Sequence, residues 1–303
     1  MEKKILVIGS AVVDVIIDLE DNLPTRGQDV HVRAQKMQMG GCGFNTYHMI
    51  RHFGVPVIPF FPIGTGAYGG FVRDCFREAG IRTPIPTAPA DNGCCYCFVE
   101  PDGERTFISY HGAEYRFLPE WFSLIHSEEI HSIFICGLEV EETTGKYIVD
   151  FLEKNPAIPL FFSPGPRLVR IDPLLTDRLF ALHPILHLNK EEACAFAGAD
   201  SIWRSARILF EKTGNTVIIT LSKDGCYYFD GREEAIIPAV PAVQIDTIGA
   251  GDSHIGAIMA SLYNGCTLKD AIRIANRISA RVVSVPGALL SDREFEEVRN
   301  CFT

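Results

Sequence analysis

The chain of 303 residues has no long hydrophobic run. No stretch approaches the roughly 18 apolar residues of a transmembrane helix, and Ile5-Leu6-Val7-Ile8-Gly9 is too short for the core of a signal peptide. Positive charge is also scarce, since 28 Lys and Arg stand against 38 Asp and Glu, a formal net charge of −10. An acidic surface repels phosphate backbones. We therefore expect a cytoplasmic protein without nucleic-acid or membrane partners.

A second pair of closely spaced cysteines is absent as well. The chain has ten cysteines, and its one tight cluster is Cys94-Cys95-x-Cys97. A zinc site would need a second pair of Cys or His ligands. Because no export signal is recognised, reduced thiols are a better interpretation than a disulfide framework.

The common nucleotide-binding signatures are missing or incomplete. The sequence has no GxxxxGK[ST], which excludes a P-loop. Gly64-Thr65-Gly66-Ala67-Tyr68-Gly69 fits GxGxxG. A dinucleotide site would also need an acidic residue about 20 positions on, at the end of the next strand. Asp91 is near that distance but follows the Pro-rich segment 83–90, so this requirement is not met.

Short apolar runs alternate with segments of helical spacing along most of the chain. The runs that predict buried strands are residues 4–9, 56–62, 131–136, 158–163, 184–188 and 216–221. The segments that predict helices are 43–53, 68–79, 142–154, 201–213 and 252–263. Such alternation is typical of an α/β protein with a mostly parallel central sheet and helices on both faces.

Two stretches, 12–36 and 94–110, read as strands that no helix follows. The second predicts a hairpin around Pro101-Asp102-Gly103, because Pro presets φ and Gly accepts positive φ. We expect both stretches to form a small β-sheet that acts as a lid; the alternative is an extension of the edge of the main sheet. The main domain would then comprise residues 1–11, 37–93 and 111–303.

The segment Gln244–Asp252 carries the chemistry. Gly249, Ala250 and Gly251 precede an apolar helix, where exposed backbone amides and the helix dipole form an anion site. A carboxylate beside a bound phosphate is repulsive unless it binds a metal or accepts a proton from an attacking hydroxyl. Asp252 has such a role or is a helix cap.

A second glycine-rich segment reads Gly40-Gly41-Cys42-Gly43-Phe44-Asn45. Its glycines bring backbone close to a ligand, and Asn45 can donate and accept hydrogen bonds. Asp14 could bind sugar hydroxyls or could be a turn residue. Together these segments suit a ligand that is rich in hydroxyl groups.

In this order, the segments resemble the ribokinase, or PfkB-type carbohydrate kinase, family. Asp246–Asp252 matches the D-T-x-G-A-G-D signature, and Gly40-Gly41-x-Gly43-x-Asn45 matches the N-terminal signature. Asn189–Glu192 is similar to the family's N-x-x-E, and Thr220–Gly225 to its nucleotide-binding turn. The resemblance implies a ribokinase-like fold with a small β lid, ATP and Mg²⁺ as cofactors, and K⁺ in some members.

The resemblance also implies roles for individual residues. It makes Asp252 the general base, with Gly249, Ala250 and Gly251 as the anion hole. It assigns the sugar to Asp14, Gly41, Cys42, Asn45, Glu139 and Asp252. It assigns the nucleotide to Asn189, Thr220, Ser222, Gly225, Gly251 and Asn276. It assigns magnesium to Asn189 and Glu192, and potassium to Asp246, Ile248, Val282, Val285, Gly287 and Ser291.

Departures from the family pattern leave the acceptor open. Cys42 replaces a Lys of ribokinases and Phe44 a small residue, and these two changes on the substrate side put ribose itself in doubt. Ser222 stands where a Gly is usual. A sugar, a sugar acid or a nucleoside stacked on Phe44 and on the aromatic side chains of the predicted lid remain alternatives, as does a non-catalytic binding protein. Exposed apolar strands in the lid predict a homodimer through it.

Overall fold

The computed structural model describes residues 2–300, in which eight strands form the main sheet. In chain order they are β1 (Lys4–Ile8), β4 (Val57–Phe60), β9 (Ile130–Cys136), β10 (Leu160–Ser163), β11 (Ile185–Asn189), β12 (Val217–Thr220), β13 (Cys226–Phe229) and β14 (Glu234–Ile237). Their spatial order is β14-β13-β12-β11-β10-β9-β1-β4, and only the pairs β12–β13 and β13–β14 are antiparallel. All six predicted strands are confirmed.

Helices cover both faces of this sheet because its strands are apolar on both sides. Ile5 and Val7 of β1 belong to one core, and Leu6 and Ile8 belong to the other. The helices are α1 (Cys42–His52), α2 (Gly66–Glu78), α3 (Gly137–Glu141), α4 (Gly145–Glu153), α5 (Pro173–Phe180), α6 (Lys190–Ala197), α7 (Ile202–Thr213), α8 (Ala250–Tyr263), α9 (Leu268–Val282) and α10 (Asp292–Arg299). The predicted helices at 43–53, 68–79, 142–154, 201–213 and 252–263 correspond to α1, α2, α4, α7 and α8.

A separate four-stranded sheet, called the small sheet below, consists of β2 (Val12–Leu19), β3 (Val32–Gly40), β7 (Cys94–Val99) and β8 (Arg105–Tyr110). Its order is β3-β2-β7-β8, with β2 and β7 parallel. It pairs with no strand of the main sheet, so the alternative of an edge extension is wrong. The hairpin turn is confirmed, since Gly103 has φ 91° and donates its N–H to Glu100 O.

Strand β3, at one edge of the small sheet, continues to Gly40, four residues beyond the end of the predicted lid segment at residue 36. The short pair β5 (Gly64–Thr65) and β6 (Ala88–Asp91) stands apart from both sheets. Nine cysteines lie within residues 2–300, and all of them are free thiols. In this described part of the chain, no helix combines the length and apolarity needed to cross a bilayer.

The start of α1 is seated directly on the end of β1. A Cβ at Gly43 would lie 2.8 Å from Gly9 Cα and 2.9 Å from Ser10 N. Real side chains do not approach backbone that closely, so this contact requires glycine. It places the first turn of α1 at the carboxyl end of the parallel strands, the edge where α/β sheets bind ligands.

We expect Gly43→Ala to destabilise the fold by about 1–3 kcal/mol, because the added methyl group pushes α1 away from β1. Gly70→Ala in α2 is the matched control. Its Cβ would meet only Arg73 Nη2, at 3.7 Å. This change should be neutral or stabilise by up to about 1 kcal/mol, since Ala favours helix. Urea denaturation of both variants measures the difference, and equal stabilities would contradict this account.

Candidate active site

The loop before α8 has an unusual backbone that glycine makes accessible. Gly249, the N-cap residue, has φ 73°, in the left-handed region. A Cβ there would lie 2.6 Å from Ala288 Cβ, so the turn also packs closely on the loop that follows α9. At Gly251 a Cβ would meet nothing within 4 Å. The helix start is therefore packed on one side and open on the other.

The open side presents backbone N–H groups. Ala250 N–H donates to Thr247 O at 3.3 Å, and Ser253 N–H donates to Gly249 O at 2.8 Å. The N–H groups between them, on Gly251 and Asp252, have no backbone acceptor among residues 2–300. Two free amides at the positive end of a helix can hold an anion. Of the predicted anion-hole residues Gly249, Ala250 and Gly251, the N–H of Gly251 is free and that of Ala250 is bonded to Thr247. Binding of a phosphate there remains a prediction.

Asp252 lies in the first turn of α8 and is held from α1. Its Oδ2 accepts a hydrogen bond from Asn45 Nδ2 at 2.9 Å, and the Cys42 thiol lies close enough to lower its pKa. Burial raises the pKa of Asp252 to about 6, while these two donors oppose the rise. A carboxyl that titrates near neutral pH can accept a proton during catalysis.

Helix α1 contributes two further polar groups. Thr46 Oγ1 donates to Asp252 O at 3.3 Å, which fixes the backbone of α8 to α1. Asn45 is buried, and its Oδ1 has no hydrogen-bond partner within the described chain. A buried, unpaired acceptor is costly unless a ligand donates to it. Asn45 therefore orients Asp252 with its nitrogen and offers its oxygen to a ligand.

The Asp14 carboxyl faces Asp252 from the small sheet. It lies across Gly40, where a Cβ would be 2.0 Å from Asp14 Oδ2. Burial and then the charge of Asp252 raise the pKa of Asp14 to about 6. The two carboxyls are therefore close enough for one to affect the protonation of the other. The structure therefore brings Asp14, Asn45 and Asp252 together, as the sequence predicted.

Glu139 completes this side of the site from α3, at the carboxyl end of β9. It is fully buried, and its Oε2 accepts a hydrogen bond from Cys136 Sγ at 2.6 Å. Neither its Oε1 nor Ser10 Oγ, at the end of β1, meets hydrogen-bond geometry with a described residue. Burial raises the pKa of Glu139, and Ser10 is close enough to oppose that rise. Glu139 Oε1 and Asn45 Oδ1 therefore suit hydroxyl groups of a ligand.

The predicted nucleotide-binding residues lie at the same edge of the main sheet. Asn189 ends β11 and is the register partner of Thr220, which ends β12. Ser222 follows with φ 54°, a conformation in which Gly is favoured and which agrees with the Gly usual in the family. Gly225 has φ 101°, and a Cβ there would lie 2.0 Å from Ile237 O. A tight turn thus follows β12.

Asn189 and Glu192, assigned above to magnesium, form a capping box at the start of α6. Glu192 N–H donates to Asn189 Oδ1 at 2.8 Å, and Asn189 N–H donates to Glu192 Oε2 at 2.9 Å. Burial raises the pKa of Glu192, with smaller contributions from the charges of Glu191 and Asp252. The charge of Asp252 therefore reaches Glu192, and α6 points its first turn toward the site.

Asn276 makes structural hydrogen bonds within the core. Its Nδ2 donates to Ile237 O and Pro238 O, both at 3.0 Å, and its Oδ1 lies 3.0 Å from His254 Nε2. His254 Nδ1 in turn lies 2.9 Å from His187 Nε2. Since the amide donates to both carbonyls, Oδ1 accepts and His254 carries its proton on Nε2. Contact of Asn276 with a nucleotide remains a prediction.

Asp246, predicted to bind potassium, is already paired. Its carboxylate accepts two hydrogen bonds from Arg105, at 2.6 and 3.0 Å, and one each from the N–H groups of Ile248 and Gly287, at 3.0 and 2.9 Å. The Asp246 side chain is only 5% exposed. A bare cation at this carboxylate would have to displace the Arg105 guanidinium.

Two of the other predicted potassium residues lie at helix ends. Val282 ends α9, and its carbonyl accepts from Val285 N–H at 3.2 Å. Ser291 caps α10 in a capping box with Glu294. Ile248 and Gly287 therefore contact the Asp246 carboxylate through their N–H groups, whereas Ser291 caps α10.

A carboxylate already accepts hydrogen bonds from the backbone amides of the GxGxxG segment. Asp91 Oδ2 accepts from Ala67 N–H at 2.9 Å, and Oδ1 accepts from Gly69 N–H at 2.8 Å. These are the amides that a pyrophosphate would need. The segment therefore serves as a capped start for α2.

Phe44 belongs to the core. It is 4% exposed, and its ring stacks on Phe76 with centroids 5.8 Å apart. Tyr96 bonds through its hydroxyl to Tyr68 at 3.0 Å. The predicted aromatic surface for a nucleoside is therefore largely committed to packing, whereas Tyr110 is 63% exposed.

Several site residues were not predicted to act there. Ser10, Thr46 and Cys136 contact the site residues described above, but their sequence context carries no recognisable signal. Arg105 was noted only as part of the hairpin. Its Gly-Glu-Arg-Thr context follows the turn directly, and nothing in it indicates a partner 141 positions away.

Comparison with known proteins agrees with this geometry. The family model described as pfkB family carbohydrate kinase matches residues 2–294. A protein described as an uncharacterized sugar kinase, YegV, from Escherichia coli K12 is 33% identical over 289 residues, covering 94% of this chain and 90% of that protein.

Solved structures show the same fold at low sequence identity. Ribokinase from Arabidopsis thaliana, complexed with ribose and ATP, has a TM-score of 0.78 and 16% identity, with 98% of this chain and 99% of that chain covered. A nucleoside kinase from Burkholderia thailandensis, in complex with inosine, has a TM-score of 0.74 and 19% identity, with 98% and 96% covered. The ribokinase-like fold is confirmed, and the chain belongs to the pfkB family of carbohydrate kinases.

Proposed function

We propose that the protein transfers the γ-phosphate of ATP to a hydroxyl group of a neutral sugar, with Asp252 as general base. The observation that carries the proposal is the start of α8, where two free amides adjoin a carboxyl with a pKa of about 6. The amides suit the negative charge of a phosphoryl group, and the carboxyl suits the proton of an acceptor hydroxyl.

The chemical step follows from this arrangement. The acceptor oxygen attacks the γ-phosphorus, the bond from that phosphorus to the ADP oxygen breaks, and the hydroxyl proton passes to Asp252. Asn45 and Cys42 hold the Asp252 carboxyl in place. The amides of Gly251 and Asp252 stabilise the phosphoryl oxygens during transfer. Asp14, Glu139, Ser10 and Asn45 bind the other hydroxyl groups of the sugar.

The donor side of the proposal places ATP along the ends of β11 and β12. Asn189, Thr220, Ser222 and Gly225 would contact the nucleotide, and the related ribokinase solved with ATP supports this donor. Asn189 and Glu192 would hold Mg²⁺, which neutralises phosphate charge when bound. Magnesium usually uses one or two carboxylates together with phosphates and water, so the carboxyl of Glu192 suffices. No group of three or more His, Cys, Asp or Glu ligands exists within residues 2–300.

The charges around the acceptor favour a neutral sugar. Burial raises the pKa of both Asp14 and Asp252, the charge of Asp252 raises that of Asp14 further, and no basic side chain is among the groups that shift the pKa of either. A sugar acid would therefore bring an anion to a site that offers it no cation. The buried Phe44 likewise removes the main stacking surface for a nucleoside.

We place the protein in the cytoplasm as a homodimer through the small sheet. Apolar side chains are exposed on its two edge strands, β3 and β8: Val32, Met37, Phe107, Ile108 and Tyr110. Adjacent exposed apolar residues on edge strands are typical of association surfaces. Light scattering that returns only the monomer mass would contradict the dimer.

Asp252→Asn should lower kcat by about 10²–10⁴-fold while ATP still binds, because only the proton acceptor is lost. Steady-state kinetics and calorimetry with ATP separate the two effects. Asp177→Asn, an exposed carboxyl on α5, is the matched control and should retain full activity. Turnover of Asp252→Asn at the rate of this control would remove Asp252 from the mechanism.

The pH profile tests the same carboxyl without a change in Asp252. A base must be deprotonated, so kcat/KM should fall about tenfold per pH unit below about pH 6. Asp14→Asn should move this acidic limb to lower pH, because it removes a neighbouring negative charge. A limb that is unchanged in Asp14→Asn would show that the two carboxyls do not titrate together.

A panel of acceptors tests the substrate class. Neutral pentoses and hexoses should give kcat/KM values at least about tenfold above those of the matching aldonic acids, since like charges repel in a buried site. ADP release measures turnover for each acceptor. Nucleosides form the third arm, and a nucleoside that exceeds every free sugar would overturn the sugar assignment.

A further inference from the structure

One ion pair joins the small sheet to the loop before α8. Arg105 is the first residue of β8, and Asp246 lies 141 positions later in the turn that leads to the anion hole. The Arg105 Nη1 and Nη2 atoms donate to Asp246 Oδ1 and Oδ2 at 2.6 and 3.0 Å. The side chains are 28% and 5% exposed. A two-pronged, partly buried pair of this kind fixes orientation as well as distance.

Asp246 also holds two backbone segments beside the proposed anion hole, one at Ile248 and one at Gly287. Its Oδ1 also accepts from Ile248 N–H, one residue before Gly249, and its Oδ2 accepts from Gly287 N–H. Gly287 precedes Ala288, on which Gly249 packs. The carboxylate thus holds the turn and its supporting loop together, and Arg105 balances its charge.

The same sheet carries the acceptor-binding carboxyl Asp14. Asp14 pairs in register with Cys95 of β7, which pairs with Ser109 of β8. Arg105 lies on the same β8 strand. The contact between Arg105 and Asp246 therefore sets the position of the acceptor-binding sheet relative to the amides that would receive the phosphoryl group.

Arg105 also takes the place that the family resemblance assigns to potassium. Both oxygens of Asp246 are bonded to guanidinium and amide nitrogens, and Ser291 is committed to its capping box. A guanidinium has permanent charge and a planar geometry that matches a carboxylate. The hydrogen-bonding groups around the Asp246 carboxylate fit the Arg105 guanidinium and do not fit a bare metal ion.

We propose that Arg105 is a positioning residue that supplies the positive charge at Asp246 from within the chain. It holds the small sheet and the anion-hole turn in one arrangement, and the enzyme needs no monovalent cation at this carboxylate. The inference rests on the proposed function in taking the start of α8 as the phosphate site.

The kinetic test compares Arg105→Ala with wild type in tetramethylammonium, potassium and guanidinium chlorides at equal ionic strength. Wild-type kcat should be the same in all three salts within about twofold. In tetramethylammonium, Arg105→Ala should lose about 10²-fold in kcat, because small displacements of reacting groups cost that much. Its KM for ATP should change less than about threefold. Potassium or millimolar guanidinium should restore at least about tenfold of the lost rate.

Two further variants complete the kinetic test. Arg105→Lys keeps the charge but loses the two-pronged geometry, so its kcat should lie between those of wild type and Arg105→Ala. Arg33→Ala, an exposed arginine on β3 of the same sheet, should behave as wild type. Three results would each overturn the proposal. Wild-type kcat could depend on potassium, or Arg105→Ala could have the same kcat as Arg33→Ala. Alternatively, Arg105→Ala could lose kcat that neither potassium nor guanidinium restores.

Hydrogen exchange provides a readout that does not depend on turnover. Arg105→Ala should exchange faster than wild type both in the hairpin around residues 100–105 and in the segments 246–251 and 286–288, and potassium should slow the last two. Faster exchange in the hairpin alone would overturn the coupling. If no acceptor is phosphorylated by wild type, the proposed function fails while this measurement still decides the role of Arg105. Should Arg105→Ala not fold, Arg105→Lys is compared in the same experiment.

Discussion

The close packing of α1 against α8 is the contact on which the site depends. Gly256 of α8 makes it possible, because a Cβ there would lie 2.9 Å from Thr46 O and 3.0 Å from Met49 Cβ. At this distance Asn45 reaches the Asp252 carboxyl, and Thr46 reaches the Asp252 carbonyl. The Asp252 carboxyl, the proposed proton acceptor, is therefore oriented by a neighbouring helix as well as by its own. Both helices begin at the carboxyl edge of the main sheet, so their first turns face one pocket.

Burial gives this site its chemistry. Glu139 is fully buried, Asp14 and Asp252 are half-buried, and each of the three has a raised pKa. Charge on such carboxyls is costly because they are shielded from water. Hydroxyl groups of a bound sugar can donate to them and compensate that cost. The same environment that raises the pKa of Asp252 thus also favours a ligand rich in hydroxyls.

The small sheet has two connections to the chemistry. Asp14 on β2 faces the acceptor side, and Arg105 on β8 bonds to the turn of the anion hole. The first connection would be made through the proposed substrate, whereas the second is made by protein alone. A sheet that is attached at both points can place an acceptor hydroxyl against a phosphoryl group with little freedom, which is what a transfer reaction needs.

The sequence alone determined the periodic elements and the family. Apolar runs predicted six of the eight strands of the main sheet, and the Asp246–Asp252 segment predicted an anion site beside a carboxyl, because these features depend on neighbours along the chain. The antiparallel strands β13 and β14 were not predicted. Long-range contacts decided the rest. Nothing in the sequence near Arg105 indicates that it bonds to Asp246. Nothing near Phe44 shows that its ring packs on Phe76. The N–H groups of Ala67 and Gly69 donate to Asp91, which lies on strand β6. Partners separated by tens of residues are chosen by how strands and helices pack, and only the tertiary structure records that choice.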